Sequence, residues 1–291
     1  MAAKTARARA ARAKARKPIP TRGASSAKSA RTAPRKKTKS GAAKNRMKLF
    51  YSPIHGFIHK ALVVAYEAGV IDRIDFVPIY PMRDGYSIAA INPLHKVPTL
   101  ALPDGTVLYG SQVVVEYLDS LATKKKLYPK AGPARWDALR RLALADTTFE
   151  STVNLALEKI ETTPRAEVFK WYWPKIERAV DQMEIDAAKL KGFDIGQAAT
   201  LHALSYLDRQ VGKGLPAPVP KGYDWREGRP KLAACYAKAI KRPSVTSHFN
   251  KDYIGDDSAE FAQMHVADVL RRQGKRAAMA RSPQPVDRHM L

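Results

Sequence analysis

The stretch Asn92-Pro93-Leu94-His95-Lys96-Val97-Pro98-Thr99-Leu100, continued by Asp104-Gly105-Thr106-Val107-Leu108-Tyr109-Gly110-Ser111 and Val113-Val114-Val115-Glu116-Tyr117-Leu118, decides the reading of this chain. Val97-Pro98 stands directly before a short apolar run, which predicts a cis-proline corner, since a cis bond marks a shaped turn. Such a corner leaves the backbone of Val97 to pair with an extended peptide. Asp104-Gly105 between two apolar runs is a hairpin signal. Ser111 then opens an apolar helix as its expected cap, where hydroxyl and backbone N–H groups suit a carboxylate.

Working outward, Leu49 to Tyr51 reads as a strand and Phe57 to Ala68 as a helix with Ile58, Leu62, Val63 and Tyr66 at helical spacing. Gly69 stops that helix, and Ile74 to Pro78 reads as a second strand. Thr99 to Leu102 and Thr106 to Leu108 supply two more strands, and Ser111 to Leu121 the next helix. The order β-α-β then β-β-α predicts a mixed sheet with helices packed on it, the thioredoxin-like layout. After Pro133 the pattern is helical throughout. Ala134 to Glu161 carries Trp136, Leu142 and Phe149, and Val168 to Leu190 carries Trp171, Ile176, Val180, Met183 and Ile185 on one expected face. The second half is therefore read as an all-α bundle. Asp194 with Gln197 three positions later forms a capping-box pattern, and Pro230 suits the first turn of a further helix.

Composition sets bounds. The chain has 291 residues and a formal net charge of +24, of which residues 1–46 hold sixteen Lys or Arg and no acid, leaving +8 for the rest. That leader has Ile19 and Met1 as its only large apolar residues, which predicts disorder. Its charge suits nonspecific polyanion binding; a transit peptide and a solvated tail are the other readings. Translation from Met47, just before the first strand, would remove it altogether. One cysteine, Cys235, excludes an intrachain disulfide framework and a CxxC redox pair, and it is expected in the core. No apolar run has the length of a membrane span, so a cytoplasmic protein is expected. The expected boundaries are a leader over 1–46, a thioredoxin-like domain over 47–123, an all-α domain over 132–255, and a weak helix with a disordered tail over 256–291.

Cis-proline corner, hairpin and serine-opened helix, in that order, resemble the glutathione-binding half of the glutathione transferase family. The stretches Phe193-Asp194-Ile195-Gly196-Gln197 and Asp224-Trp225-Arg226-Glu227-Gly228-Arg229-Pro230 resemble the helical half of its bacterial members, and the likeness covers about residues 47 to 250. The resemblance implies transfer of glutathione, as co-substrate and with no cofactor, to a hydrophobic electrophile by a two-fold homodimer. Lys96, Val97, Pro98, Gly110 and Ser111 are the implied glutathione contacts. The thiol activator should lie in the turn Tyr51-Ser52-Pro53-Ile54-His55-Gly56-Phe57-Ile58-His59-Lys60. Bacterial members often show Ser-Pro-x-Ser-Pro there, followed by an aromatic residue and then Arg-Lys. Here Ser52-Pro53 is kept, His55-Gly56 replaces the second Ser-Pro, and His59 replaces the Arg. Ser52 and His55 are both candidate activators, one as a hydroxyl donor and the other as a donor or base. No third ligand accompanies His55 and His59, so no metal is expected. Gly110 stands where the family carries the acid that pairs with the γ-glutamyl ammonium. These two departures also admit a non-catalytic binding or regulatory protein, associated with nucleic acid through its leader.

Overall fold

A computed structural model describes residues 46–52, 57–79 and 88–247. Strands β1 (Met47–Tyr51), β2 (Ile74–Pro78), β3 (Thr99–Ala101) and β4 (Val107–Tyr109) form one sheet in the order β2-β1-β3-β4. The β1–β2 pair is parallel, while β1–β3 and β3–β4 are antiparallel. Helices α1 (Phe57–Ala68) and α2 (Ser111–Ser120) belong to this part. The bundle follows as α3 (Gly132–Lys159), α4 (Ala166–Ala187), α5 (Ile195–Gly212), α6 (Pro230–Ala239) and the short α7 (Pro243–Thr246). A thioredoxin-like mixed sheet followed by an all-α bundle is the expected architecture. Residues 1–45 of the leader, His55, the segment 248–255 and the stretch 256–291 lie outside the described residues.

Alternation along β1 divides the sheet's two faces, because successive side chains point to opposite sides. Met47, Leu49 and Tyr51 join the large core, whereas Phe50 packs on the other face with Ile79, Ile88 and Ala101. The large core runs without a break from the sheet into the bundle. Helix α1 is the reason. Ile58, Ala61, Leu62, Val63, Val64, Ala65 and Ala68 are all buried, far more than one stripe. A helix apolar nearly all round must be covered on nearly all sides, and α1 packs against α2, α5 and α7. It ends in a Schellman closure: Gly69 N–H donates to Tyr66 and Val70 N–H to Ala65, with Gly69 at φ 74°. A Cβ on Gly69 would meet Lys124 Cγ at 2.8 Å, so the linker after α2 lies directly on this turn.

Three expectations about the bundle are corrected. Trp136 is 70 % exposed and is no part of the core of α3. On α4, Ile176, Val180 and Met183 are buried, but Trp171 and Ile185 are turned out. Five and nine residues separate those two from Ile176, which at 3.6 residues per turn places them on other faces. Lys175 covers the exposed ring of Trp171 at 3.7 Å from its centroid. Pro174 sits inside this continuous helix. Cys235 is half-buried rather than fully enclosed. Trp225 is buried in the core, with its indole N–H donating to Asp208 at 2.6 Å. Among the described residues, no helix is long and apolar enough to cross a membrane.

Two histidines are enclosed where α1 meets the bundle. His202 of α5 stacks on Phe149 at 4.3 Å, and its ring lies 6.2 Å from that of His59 on α1. Burial, with the nearby Arg209 cation adding to it, drives the pKa of His59 down to about 4. Burial likewise holds His202 well below the usual histidine range. Both rings are neutral in the folded chain. As pH falls from about 6.5, the unfolded chain binds protons that the folded chain refuses, so stability is full above that value and is lost toward pH 4. We predict that unfolding free energy, measured by urea titration, drops over this window by about 3 kcal/mol on account of His59 alone. His59→Leu should flatten the curve; an unchanged slope in that variant would show that other groups carry the acid sensitivity.

Candidate functional site

The sheet register gathers the predicted residues at one end. Phe50 of β1 lies opposite Thr99 of β3, and Thr99 lies opposite Tyr109 of β4. Across that row, Ser52 follows Phe50 by two positions, Pro98 immediately precedes Thr99, and Gly110-Ser111 follows Tyr109. Three segments far apart in sequence therefore leave the same edge of the sheet. Val97-Pro98 is cis, as expected.

Asn92, which the sequence reading passed over, builds the approach to the corner. Its carboxamide donates to the Lys96 carbonyl and to Thr99 Oγ1, both at 2.8 Å, and its oxygen accepts from Leu94 N–H. Thr99 Oγ1 donates to the same Lys96 carbonyl at 2.8 Å. Asn92 and Thr99 are fully buried, so these bonds fix the backbone on both sides of Val97. The Lys96 side chain is exposed, and its carbonyl rather than its charge is what the fold uses.

Ser111 does not cap its helix. Gly110 is the cap residue, at φ 87° and ψ 125°, with no side-chain cap bond, and Ser111 is the first helical residue. The first intrahelical bond runs from Val114 N–H to the Gly110 carbonyl at 3.1 Å, so the amides of Ser111, Gln112 and Val113 precede the ladder. Open space surrounds Gly110, but its φ is one that L side chains rarely adopt. An acid at this position would be strained by the backbone, not by crowding.

The Ser111 hydroxyl has another partner. Lys60 Nζ donates to Ser111 Oγ at 3.3 Å and to Asp146 at 2.5 and 2.6 Å. Gln112 Nε2 also donates to Asp146 Oδ2, at 3.1 Å. The Lys60 side chain is 2 % exposed and that of Asp146 18 %. Burial pulls the lysine pKa down, and the Asp146 carboxylate opposes it. A serine oxygen that accepts from an ammonium keeps its own O–H for something else. Lys60 therefore sets the polarity of Ser111, leaving a hydroxyl donor and three unladdered amides at a positive helix end. Ser52 is also buried, and its Oγ has no hydrogen-bond partner among the described residues. A buried hydroxyl without a partner costs about 1–3 kcal/mol.

Lys60 and Asp146 are the site residues that the sequence reading missed. Lys60 directly precedes the apolar run Ala61 to Tyr66 and Asp146 directly follows the apolar run Leu142 to Ala145, and a charge set against such a run is the available signal. Nothing local couples them, since they stand 86 positions apart.

Comparisons with known proteins agree with this fold. Residues 56–121 match the family model described as the glutathione S-transferase N-terminal domain. A glutathione S-transferase from Methylobacillus flagellatus KT, solved with glutathione bound, is 32 % identical, with a TM-score of 0.62 over 69 % of this chain and 98 % of that one. The chain belongs to the glutathione S-transferase family. A family member from Pseudomonas fluorescens Pf-5, also solved with bound glutathione, is 29 % identical with a TM-score of 0.60, covering 69 % of this chain and 97 % of that one. The uncharacterized GST-like protein YibF of Escherichia coli K12 is 25 % identical over 208 residues, 68 % of this chain and 96 % of its own length. The matched share of this transferase-family chain is close to the extent of its described residues.

The buried pair yields a prediction. Asp146→Ala leaves the Lys60 ammonium enclosed without its carboxylate and should lower stability by about 3–5 kcal/mol. The double variant Lys60→Met/Asp146→Leu should recover most of that loss in denaturant titrations. A double variant as unstable as the sum of the single changes would mean that the two charges do not stabilise each other.

Proposed function

We propose that this protein binds glutathione along the edge that holds Ser52, Val97-Pro98 and Ser111, and transfers it to a hydrophobic electrophile. The observation that carries this reading is the Lys60–Ser111 contact, which leaves a hydroxyl proton and the α2 amides for an anionic end group. In this reading the γ-glutamyl carboxylate receives bonds from Ser111 and the start of α2. The backbone of Val97 pairs with the cysteinyl unit, and Lys96 meets the glycyl carboxylate. The Ser52 hydroxyl, which has no partner among the described residues, donates to the sulfur. A thiol of pKa near 8.5 is mostly protonated at neutral pH, and a donor that favours its thiolate lowers that value. The thiolate then forms the new bond to carbon while the electrophile's leaving group, or its π electrons, takes the displaced electron pair.

The acid missing at Gly110 has a stand-in within reach of this network. Asp146, brought in by α3, supplies a carboxylate beside Ser111 and Gln112. We assign to it the attraction of the γ-glutamyl ammonium, in exchange for part of its hold on Lys60. A second reading, a glutathione-binding module without transferase activity, is favoured by the glycine conformation at position 110, which keeps the family's acid out.

Ser111→Ala should weaken glutathione binding about ten- to hundredfold, the worth of one hydrogen bond to a charged group, with little change in melting temperature. Ser52→Ala should leave binding nearly unchanged and raise the apparent thiol pKa, followed by thiolate absorbance in the complex. Calorimetry that detects no glutathione binding by the wild-type chain at millimolar concentration would end the proposal. Binding without turnover of an aryl halide panel would favour the module.

A further inference from the structure

Residues 47–247 hold 28 Lys or Arg against 21 Asp or Glu, a surplus of seven cations. Six exposed lysines are gathered at one end of the fold. Lys124 and Lys126 follow α2, Lys189 and Lys191 stand between α4 and α5, and Lys238 and Lys241 lie where α6 closes. These three stretches meet at the C-terminal end of α1. The Thr123 and Lys124 N–H groups donate to the Ala68 carbonyl at 2.9 and 3.2 Å, and Lys125 N–H donates to that of Glu67. Lys125 Nζ then reaches the Phe193 carbonyl at 2.8 Å, which draws in the α4–α5 connection. The Arg242 guanidinium lies 4.2 Å from the Phe193 ring centroid while donating to Glu67, which draws in the end of α6. Lys191, Phe193, Lys238 and Arg242 also line one cavity, so the second and third stretches are neighbours.

None of the six lysines has an ion-pair partner among the described residues. The acids at this end are already engaged. Glu67 accepts from Arg242 and Ser244, Asp194 from Arg141, and the buried Asp119 from Leu127 N–H. Phe193 is half-buried and carries Arg242 over its ring, so the face lacks the open aromatic platform on which single-stranded bases stack. Lysine ammoniums on flexible stems neutralise charge without demanding a fixed bidentate geometry. Six of them on three segments exceed what one small anion can occupy. A nucleic-acid duplex, by contrast, carries one negative charge per about 1.7 Å of its axis. The face is also remote from the glutathione edge. Helix α1 begins beside that edge, and its 12 residues carry the chain about 18 Å to this end.

We propose that this lysine face binds the phosphate backbone of double-stranded nucleic acid without reading its sequence. Each of the three segments contributes two ammoniums, and each phosphate contact releases a condensed counterion, so affinity falls steeply as salt rises. The proposal is independent of glutathione binding and of the transferase reading, and its test uses neither.

Residues 1–45 carry fifteen further Lys or Arg, so the experiment must read individual positions in the full chain. It follows limited acetylation of lysine side chains by mass spectrometry, with and without a DNA duplex of about 20 base pairs at about 50 mM salt. Acetylation of the six lysines should slow about threefold or more, while the exposed Lys170 and Lys221, on other parts of the bundle, keep their rates. The variant Lys126→Glu/Lys191→Glu/Lys238→Glu takes one lysine from each segment. It should weaken duplex binding about tenfold or more and lower the slope of log affinity against log salt by about 2–3. The acetylation pattern of the wild-type chain tests the proposal even where that variant fails to fold. Protection confined to the lysines of residues 1–45 overturns the proposal, as does a duplex affinity that the charge reversal leaves unchanged. Protection of the six lysines by phosphatidylserine vesicles and not by the duplex also overturns it, and would make the face a membrane contact.

Discussion

The contact between Lys60 and Asp146 is the constraint around which the rest is arranged. An ammonium with 2 % of its side chain exposed has no water to solvate it, so its carboxylate must come from the protein. That carboxylate is on α3, and the helix bearing the ammonium is the one that follows β1. The bundle is thus tied to the sheet domain by a buried charged contact within a mainly apolar interface. The other end of α1 is tied too: Glu67 accepts from Arg242 at 2.8 and 2.9 Å and from Ser244 at 2.6 Å. With both ends fixed to the bundle, α1 cannot slide.

A buried ion pair is weak evidence for stability, because desolvation of both ions offsets much of their attraction. A leucine pair would fill the same space with less to lose. What the ions supply is position and polarity. Lys60 has three N–H donors; Asp146 takes two contacts and Ser111 a third, which leaves the serine as donor and the start of α2 electropositive. The same charges connect the site's polarity to the presence of the bundle. A sheet domain without α3 would hold Lys60 without its partner, so the two halves of this glutathione S-transferase family member are linked by electrostatics as well as by packing.

Gly110 and Gln197 show local motifs diverging from their usual forms for physical reasons. At position 110 the backbone takes φ 87°, and the residue before Ser111 is a glycine because the turn out of β4 requires it. At position 197 the first half of the capping box forms, with the Gln197 N–H donating to Asp194 at 3.1 Å, while the side chain does not close the second half. At position 110 the glycine itself is the cap in place of the expected Ser111, and at position 197 only the backbone half of the expected capping box forms.

Much of this was legible in the sequence. Alternation in β1, the Asp104-Gly105 turn, the Val97-Pro98 corner, the Gly69 stop and the Asp194 cap each depend on a few neighbouring residues, so spacing alone specified them. The order of elements followed, and with it the layered class and the family resemblance. Three things needed the tertiary structure. Which face of α4 is buried depends on what packs against it, so Trp171 and Ile185 read as core and are exposed. Whether Ser111 caps its helix or serves as an acceptor depends on a lysine 51 positions away. That this lysine is charged and buried depends on an aspartate 86 positions further on, on another helix. Local chemistry fixes turns and periodicities because its partners are adjacent in the chain. The partners of a buried charge are brought together only when the helices pack.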